Sequence, residues 1–241
     1  MPAIRRSLLI AGLAITPVSA ALAQNHVYQL DNSLADQYGG PSLVADNGSL
    51  GAQGYTFGTN QGLTLSNVFA SGSSYSLAIR SMYTANAPTG WRKIVDFKNL
   101  SSDNGYYDRS GQSYLVGGGS GGNPFSNNVM AFIVLTRDAG TGMMSVYVNG
   151  AQSLTVNDAA GVGNFSGPNG IARFFEDDAI GALEDAPGYV DYIATYDRAL
   201  TGDEVARLTV VPVTAAPEPA SVGLLATGLI GLLAVRRRRT R

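Results

Sequence analysis

The sequence predicts an all-β sandwich with one short C-terminal helix, set between two apolar end segments. Three observations carry this. Short runs rich in β-branched and aromatic residues recur between Gly, Asn, Asp and Ser turns, at intervals that suit an all-β sandwich. Several runs alternate with the period of two that a pleated strand requires. A single helix start is clearly signalled, at Thr201. The chain has no cysteine, so disulfides, zinc-thiolate sites and thiol nucleophiles are excluded and a sizeable core must stabilise the domain. The roughly 190 residues between the ends can supply one.

Taken in order, Met1 to Ala23 places Arg5 and Arg6 before an apolar stretch from Leu8 to Val18 and then Ala21-Leu22-Ala23. That is the layout of a secretory signal cleaved after Ala23. Arg5-Arg6-Ser7-Leu8-Leu9 also loosely matches a twin-arginine signal, so the export route stays open. In Ser74 to Thr84, alternation puts Tyr75, Leu77, Ile79 and Tyr83 on one face and Ser76, Ala78, Arg80 and Met82 on the other, a half-buried strand. Val129 to Leu135 is apolar on both faces, as a central strand covered on both sides would be. Gly142 to Val156 forms a hairpin around Asn149-Gly150, because both turn residues tolerate positive φ. Gly188 to Tyr196 alternates again, with Val190, Tyr192, Ala194 and Tyr196 together.

Thr201 caps the helix, Glu204 reaches back as the other half of a capping box, and Leu200 packs on Val205; the helix should end near Leu208. Residues 209–216 read as an extended linker. Pro217-Glu218-Pro219 follows, then the uncharged run Ala220 to Val235, then Arg236, Arg237, Arg238, Arg239 and Arg241. As a helix that run spans about 24 Å, just under the roughly 30 Å hydrocarbon core of a bilayer. The arginines hold the cytoplasmic side and leave everything before Pro217 outside.

Residues 24–219 lose seven arginines with the ends, so Lys plus Arg falls from 16 to nine against all 18 Asp plus Glu, a net charge of −9. A domain this acidic with no basic stripe is unsuited to nucleic acid. Serine-histidine chemistry is disfavoured because the sole histidine, His26, lies near the mature terminus, where a frayed surface residue is expected. Gly117 to Gly122 satisfies G-x-G-x-x-G, but Asn123-Pro124 follows where a phosphate-binding helix should begin, so it reads as a flexible loop.

The PEP triplet, apolar run and arginine cluster together resemble the C-terminal sorting signal of bacterial PEP-CTERM proteins. That resemblance implies processing by an exosortase-type enzyme after transient anchoring in the inner membrane of a Gram-negative-type bacterium. The exported domain is then secreted or surface-bound in the envelope or biofilm matrix. A second resemblance covers residues 26–208. Trp91-Arg92-Lys93-Ile94-Val95-Asp96-Phe97, Ser145-Val146-Tyr147-Val148-Asn149-Gly150, and Gly188 through Tyr196-Asp197-Arg198-Ala199-Leu200-Thr201 to Glu204 are similar to the laminin G-like, concanavalin A-like jelly roll. It implies two antiparallel sheets packed face to face, with the concave face or rim used for binding. The expected division is a signal peptide over 1–23, a jelly-roll domain over 24–208, a linker over 209–216 and a sorting signal over 217–241.

The densest carboxylate cluster is Glu176-Asp177-Asp178, followed by Glu184, Asp185 and Asp191. Related sandwiches hold calcium near such loops, and Asp177 and Asp178 are the candidate ligands; a solvated acidic loop is the alternative. Catalytic residues are not evident. No Glu-x-Asp-x-x-Glu strand of the laminarinase-like kind occurs, and Asp96 and Asp191 lie singly on strands. Trp91 is the only tryptophan, so stacking platforms are mostly missing, although twelve tyrosines can partly substitute. Trp91 and Tyr107, as aromatics beside strands, read as core or cross-strand packing ahead of ligand contacts. The expectation is a non-enzymatic extracellular module for a glycan or protein ligand. A divergent glycosidase and a purely structural matrix protein are the alternatives.

Overall fold

A computed structural model of the chain describes residues 25–67, 69–167, 170–178 and 184–210. The leader, Pro217, Glu218, Pro219, the apolar run and Arg236 to Arg239 all lie outside them. The strands in chain order are β1 (His26–Tyr28), β2 (Val44–Asp46), β3 (Ser49–Gly51), β4 (Gly54–Phe57), β5 (Gly62–Ser66), β6 (Tyr75–Tyr83), β7 (Trp91–Asp96) and β8 (Gly105–Arg109). They continue with β9 (Gln112–Leu115), β10 (Gly119–Ser120), β11 (Ala131–Asp138), β12 (Met143–Val148), β13 (Ala151–Asn157), β14 (Ile171–Phe174) and β15 (Gly188–Tyr196), and helix α1 (Gly202–Val210) closes the domain.

Two antiparallel sheets form. One runs β13-β12-β11-β6-β15-β4-β3, with β1 also pairing on β15; the other runs β10-β9-β8-β7-β14-β5-β2. Their facing sides share one core that includes Phe57, Leu77, Ile79, Val95, Leu135 and Phe174, each contributing about 1.5–3 kcal/mol by leaving water. Phe57 stacks on Phe175 at 4.1 Å between ring centroids, with Tyr83 edge-on to both. The Asn149-Gly150 turn has the expected positive φ at both residues, 52° and 82°, the geometry that matches the twist of the flanking strands.

Several expectations are corrected. β6 is buried on both faces through most of its length, because Ala78 joins a second apolar cluster on the outside of the larger sheet. That cluster includes Val134, Tyr192, Ala194, Leu200 and Val205, so α1 lies over this outer face. Val190 does not share a face with Tyr192. A bulge at Asp191 shifts the register of β15 against β6 and turns Val190 into the inter-sheet core. The central strand starts at Ala131, and Val129 is exposed. The helix runs to Val210, two residues past expectation, and its capping box is formed. Thr201 N donates to Glu204 Oε2 at 2.9 Å and Glu204 N donates to Thr201 Oγ1 at 3.3 Å. His26 is not frayed: it opens β1 and its Nδ1 lies 2.8 Å from Asp36 Oδ2. Within the glycine run, Gly119 and Ser120 pair with Leu115 and Tyr114 as a short edge strand.

Candidate functional site

With α1 over one sheet, no described helix covers the outward face of the other. Across β7, β8 and β9 the pairing sets Trp91 opposite Arg109 and Arg109 opposite Gln112, and the next row sets Lys93 opposite Tyr107 and Tyr107 opposite Tyr114. Alternation turns Tyr106 and Leu115 inward to the core and these six residues outward. Trp91 meets Tyr107 and Tyr114 edge-to-face, at centroid distances of 5.6 and 4.8 Å. Arg109 lies over the Trp91 ring at 4.4 Å. Trp91, Tyr114 and Gln112 are half-buried and Arg109 is exposed.

Lys93 and Tyr107, by contrast, are fully buried beneath the acidic segment that precedes β15. The Lys93 ammonium contacts Asp178 and lies 3.4 Å from Asp96 Oδ2 and 3.7 Å from Asp103 Oδ1. Residues three apart on a regular strand face opposite ways, and a bulge between Lys93 and Val95 is what brings Lys93 and Asp96 to one side. The backbone fixes the arrangement. Lys93 N donates to Glu184 O at 2.8 Å, Glu184 N donates to Asp177 Oδ2 at 3.1 Å, and Asp96 Oδ1 accepts from Lys98 N and Leu100 N at 2.8 and 2.9 Å. Tyr107 Oη donates to Asp103. Gly105 lies directly alongside, where a Cβ would come within 3.0 Å of the Tyr107 ring and 2.7 Å of Val95 O.

Electrostatically the cluster is overloaded with negative charge. Burial alone would favour neutral Lys93, but the Asp178 carboxylate, then Asp96 and Asp103, outweigh it and hold the ammonium above its ordinary pKa. Burial pushes Asp96 and Asp177 upward. It does the same to Glu184, reinforced by the Asp103 charge. Tyr107 is raised by burial and by its bond to Asp103. One ammonium therefore sits among five carboxyl groups.

The residues present fit a hard divalent cation. Asp103, Asp178 and Glu184 each offer an oxygen, all within 4.8 Å of one another. Asp177 Oδ1 and Glu184 Oε2 are buried without a hydrogen-bond partner among the described residues. Oxygen-only donors of this kind suit calcium.

Of the two predicted ligands, Asp178 lies in this triad. Asp177 is adjacent, with one oxygen spent on the Glu184 amide. Asp185 points elsewhere and accepts from Asn60 N, while Asp191 pairs with Arg80 at 2.7 Å. Sequence reasoning missed Lys93, Asp103 and Tyr114. Lys93 and Asp178 are 85 positions apart, and only the strand order joins them. The stacking surface thought mostly missing is partly present, as Trp91 with the half-buried Tyr114.

Comparison with known proteins agrees with the fold. The family model described as the concanavalin A-like lectin/glucanases superfamily matches residues 57–206, and the PEP-CTERM protein-sorting motif matches residues 215–239. No curated protein matches the chain. Among solved structures, a Trypanosoma rangeli sialidase in complex with 2,3-difluorosialic acid aligns with a TM-score of 0.61 at 17% identity, covering 77% of this chain and 32% of that one. This chain thus spans about a third of the length of the sialidases it matches. Domain 4 of an extracellular GH43 arabinanase from Geobacillus stearothermophilus, in complex with arabinotriose, aligns with a TM-score of 0.53 at 18% identity, covering 77% of this chain and 98% of that one. The binding domain of botulinum neurotoxin serotype D aligns at 0.56 and 12% identity, covering 78% and 51%. At these identities the likeness is one of fold. With its family model spanning most of the sandwich, the chain belongs to the concanavalin A-like lectin/glucanases superfamily and bears a PEP-CTERM sorting motif behind that domain.

Proposed function

We propose that this is an exported, non-enzymatic glycan-binding module of the cell envelope or biofilm matrix, which binds on the outward face of β7, β8 and β9. The observation that carries the reading is the half-buried pair Trp91 and Tyr114, packed edge-to-face beside the buried Tyr107 and its Asp103 partner, on the sheet that no described helix covers. Aromatic faces stack on the apolar side of a sugar ring, and carboxylates accept from its hydroxyls. The PEP-CTERM motif, a signal recognised by exosortase, supports export and surface sorting. The arabinanase domain solved with arabinotriose is a neighbour of comparable size and fold. A calcium ion on Asp103, Asp178 and Glu184 would brace the loop that roofs Lys93.

Non-enzymatic status is supported by where the carboxyls are spent. Asp96 and Asp178 are engaged by Lys93 and backbone amides. Glu176, whose pKa burial raises to about 8 as a general acid would need, is only 4% exposed and paired with Arg173 at 3.1 Å. Titrating the full chain against a panel of purified polysaccharides, with calcium and with chelator, tests the reading. Binding that weakens at least about tenfold in Trp91→Ala is expected. No binding in either condition, or binding indifferent to Trp91, would refute it.

A further inference from the structure

The glycan reading leaves one cation of that face without a role. Elsewhere in the sandwich the basic side chains are spoken for. Arg80, Arg92, Arg137, Arg173 and Arg198 each face a carboxylate. Lys93 faces three, and Lys98 Nζ donates to the carbonyls of Gly161 and Asn164. Arg207 is exposed in the last turn of α1, where the helix dipole receives it.

Arg109 differs. It ends β8, exposed, with its guanidinium 4.4 Å above the Trp91 ring and 5.7 Å from that of Tyr114. That guanidinium makes no hydrogen bond or ion pair among the described residues. A cation–π contact engages the π-face of the ring and spends none of the five N–H donors of the guanidinium on a hydrogen bond. The two rings pre-orient the fork, so less rotamer freedom is lost when it takes up a ligand. In a stretch, residues 24–219, with 18 acidic and nine basic residues, an arginine seated over an aromatic ring of this face and paired with no carboxylate among the described residues is a reserved donor. The acceptor that matches a planar fork is a planar carboxylate, taken bidentately. The rows that carry Trp91 and Tyr114 are two residues apart along the strands, about 7 Å, a spacing comparable to the length of one pyranose ring.

We propose that Arg109 is the specificity residue of this face and receives the carboxylate of an acidic sugar, a hexuronate unit whose ring lies along Trp91 and Tyr114. This rests on the glycan reading above. The test is calorimetric titration of the full chain with hexasaccharides of polygalacturonate and of alginate, each beside its carboxyl-reduced neutral counterpart, for wild type, Arg109→Lys and Arg109→Ala. Wild type should prefer at least one uronate over its neutral counterpart by about tenfold or more, and less so in high salt. The ratio should collapse to near one in Arg109→Ala and stay depressed in Arg109→Lys, since an ammonium keeps the charge and loses the fork. Equal affinity of wild type for charged and neutral forms overturns the assignment and leaves the glycan reading standing, as does a preference that survives in Arg109→Ala. Failure of every oligosaccharide to bind, in a sample that also binds no member of the polysaccharide panel, removes both.

Discussion

Lys93 offers the sharpest perturbation. Its side chain is fully buried, touching Asp178, with Asp96 and Asp103 at 3.4 and 3.7 Å. At an effective dielectric constant of about 20, unit charges 3.4 Å apart attract by about 5 kcal/mol, and desolvation of the ions takes back much of that. Lys93→Met keeps the volume and removes the one cation that the described residues place in this cluster, leaving carboxylates buried and uncompensated. The expected cost is about 3–5 kcal/mol, a fall of about 10 °C in melting temperature for a domain of this size. Asp178→Asn in the same background should restore about 2 kcal/mol, because it removes the charge that Lys93 no longer balances. Thermal melts of wild type, both single variants and the double variant form the cycle. A loss below about 1 kcal/mol in Lys93→Met would refute the reasoning, as would single effects that add within about 0.5 kcal/mol.

Calcium should raise the melting temperature of the full chain and a chelator lower it, with Asp103→Asn abolishing the difference; equal melts with and without the ion would remove the cation site. Glu204 is held at about 2 by Arg198 and by the Thr201 amide. Its contribution is therefore present above the ordinary carboxylate range and is lost as pH falls from about 4.5 towards 2. Glu204→Ala should cost about 1 kcal/mol at pH 7 and almost nothing near pH 2, measured by urea titration. Glu176 has the opposite sign. Burial raises it to about 8, so its contribution is full below about 4.5 and is lost as pH rises through 8. Glu176→Gln should therefore gain stability relative to wild type between pH 5 and pH 9, by an amount of the order of 2 kcal/mol once solvent screening is allowed for. Parallel pH profiles of the two proteins would contradict this.

What was legible in the sequence is what local chemistry determines. Asn149-Gly150 specifies its turn because both residues adopt positive φ cheaply, and Thr201 with Glu204 specifies a helix start because the two side chains satisfy amides within one turn. The bulges in β7 and β15 were not legible. One extra residue barely alters a hydrophobic pattern, yet it carries Asp96 to the side of Lys93 and sends Val190 inward. Glu184 and Asp178 announced themselves by local acidity. Asp103 did not, because it stands alone among Ser and Asn and joins the triad only through the β7–β8 connection. Trp91 and Tyr107 gave no sign of their outward orientation, since cross-strand aromatics look the same in sequence whichever side of a sheet they occupy.

Because Trp91 is the only tryptophan, intrinsic fluorescence reports on the outward face of β7, β8 and β9 alone. Titrating a polysaccharide that binds by calorimetry should shift or quench that emission along the same saturation curve, and Tyr114→Ala should weaken both signals together. Calorimetric binding with unchanged Trp91 emission would place the ligand elsewhere and contradict the account.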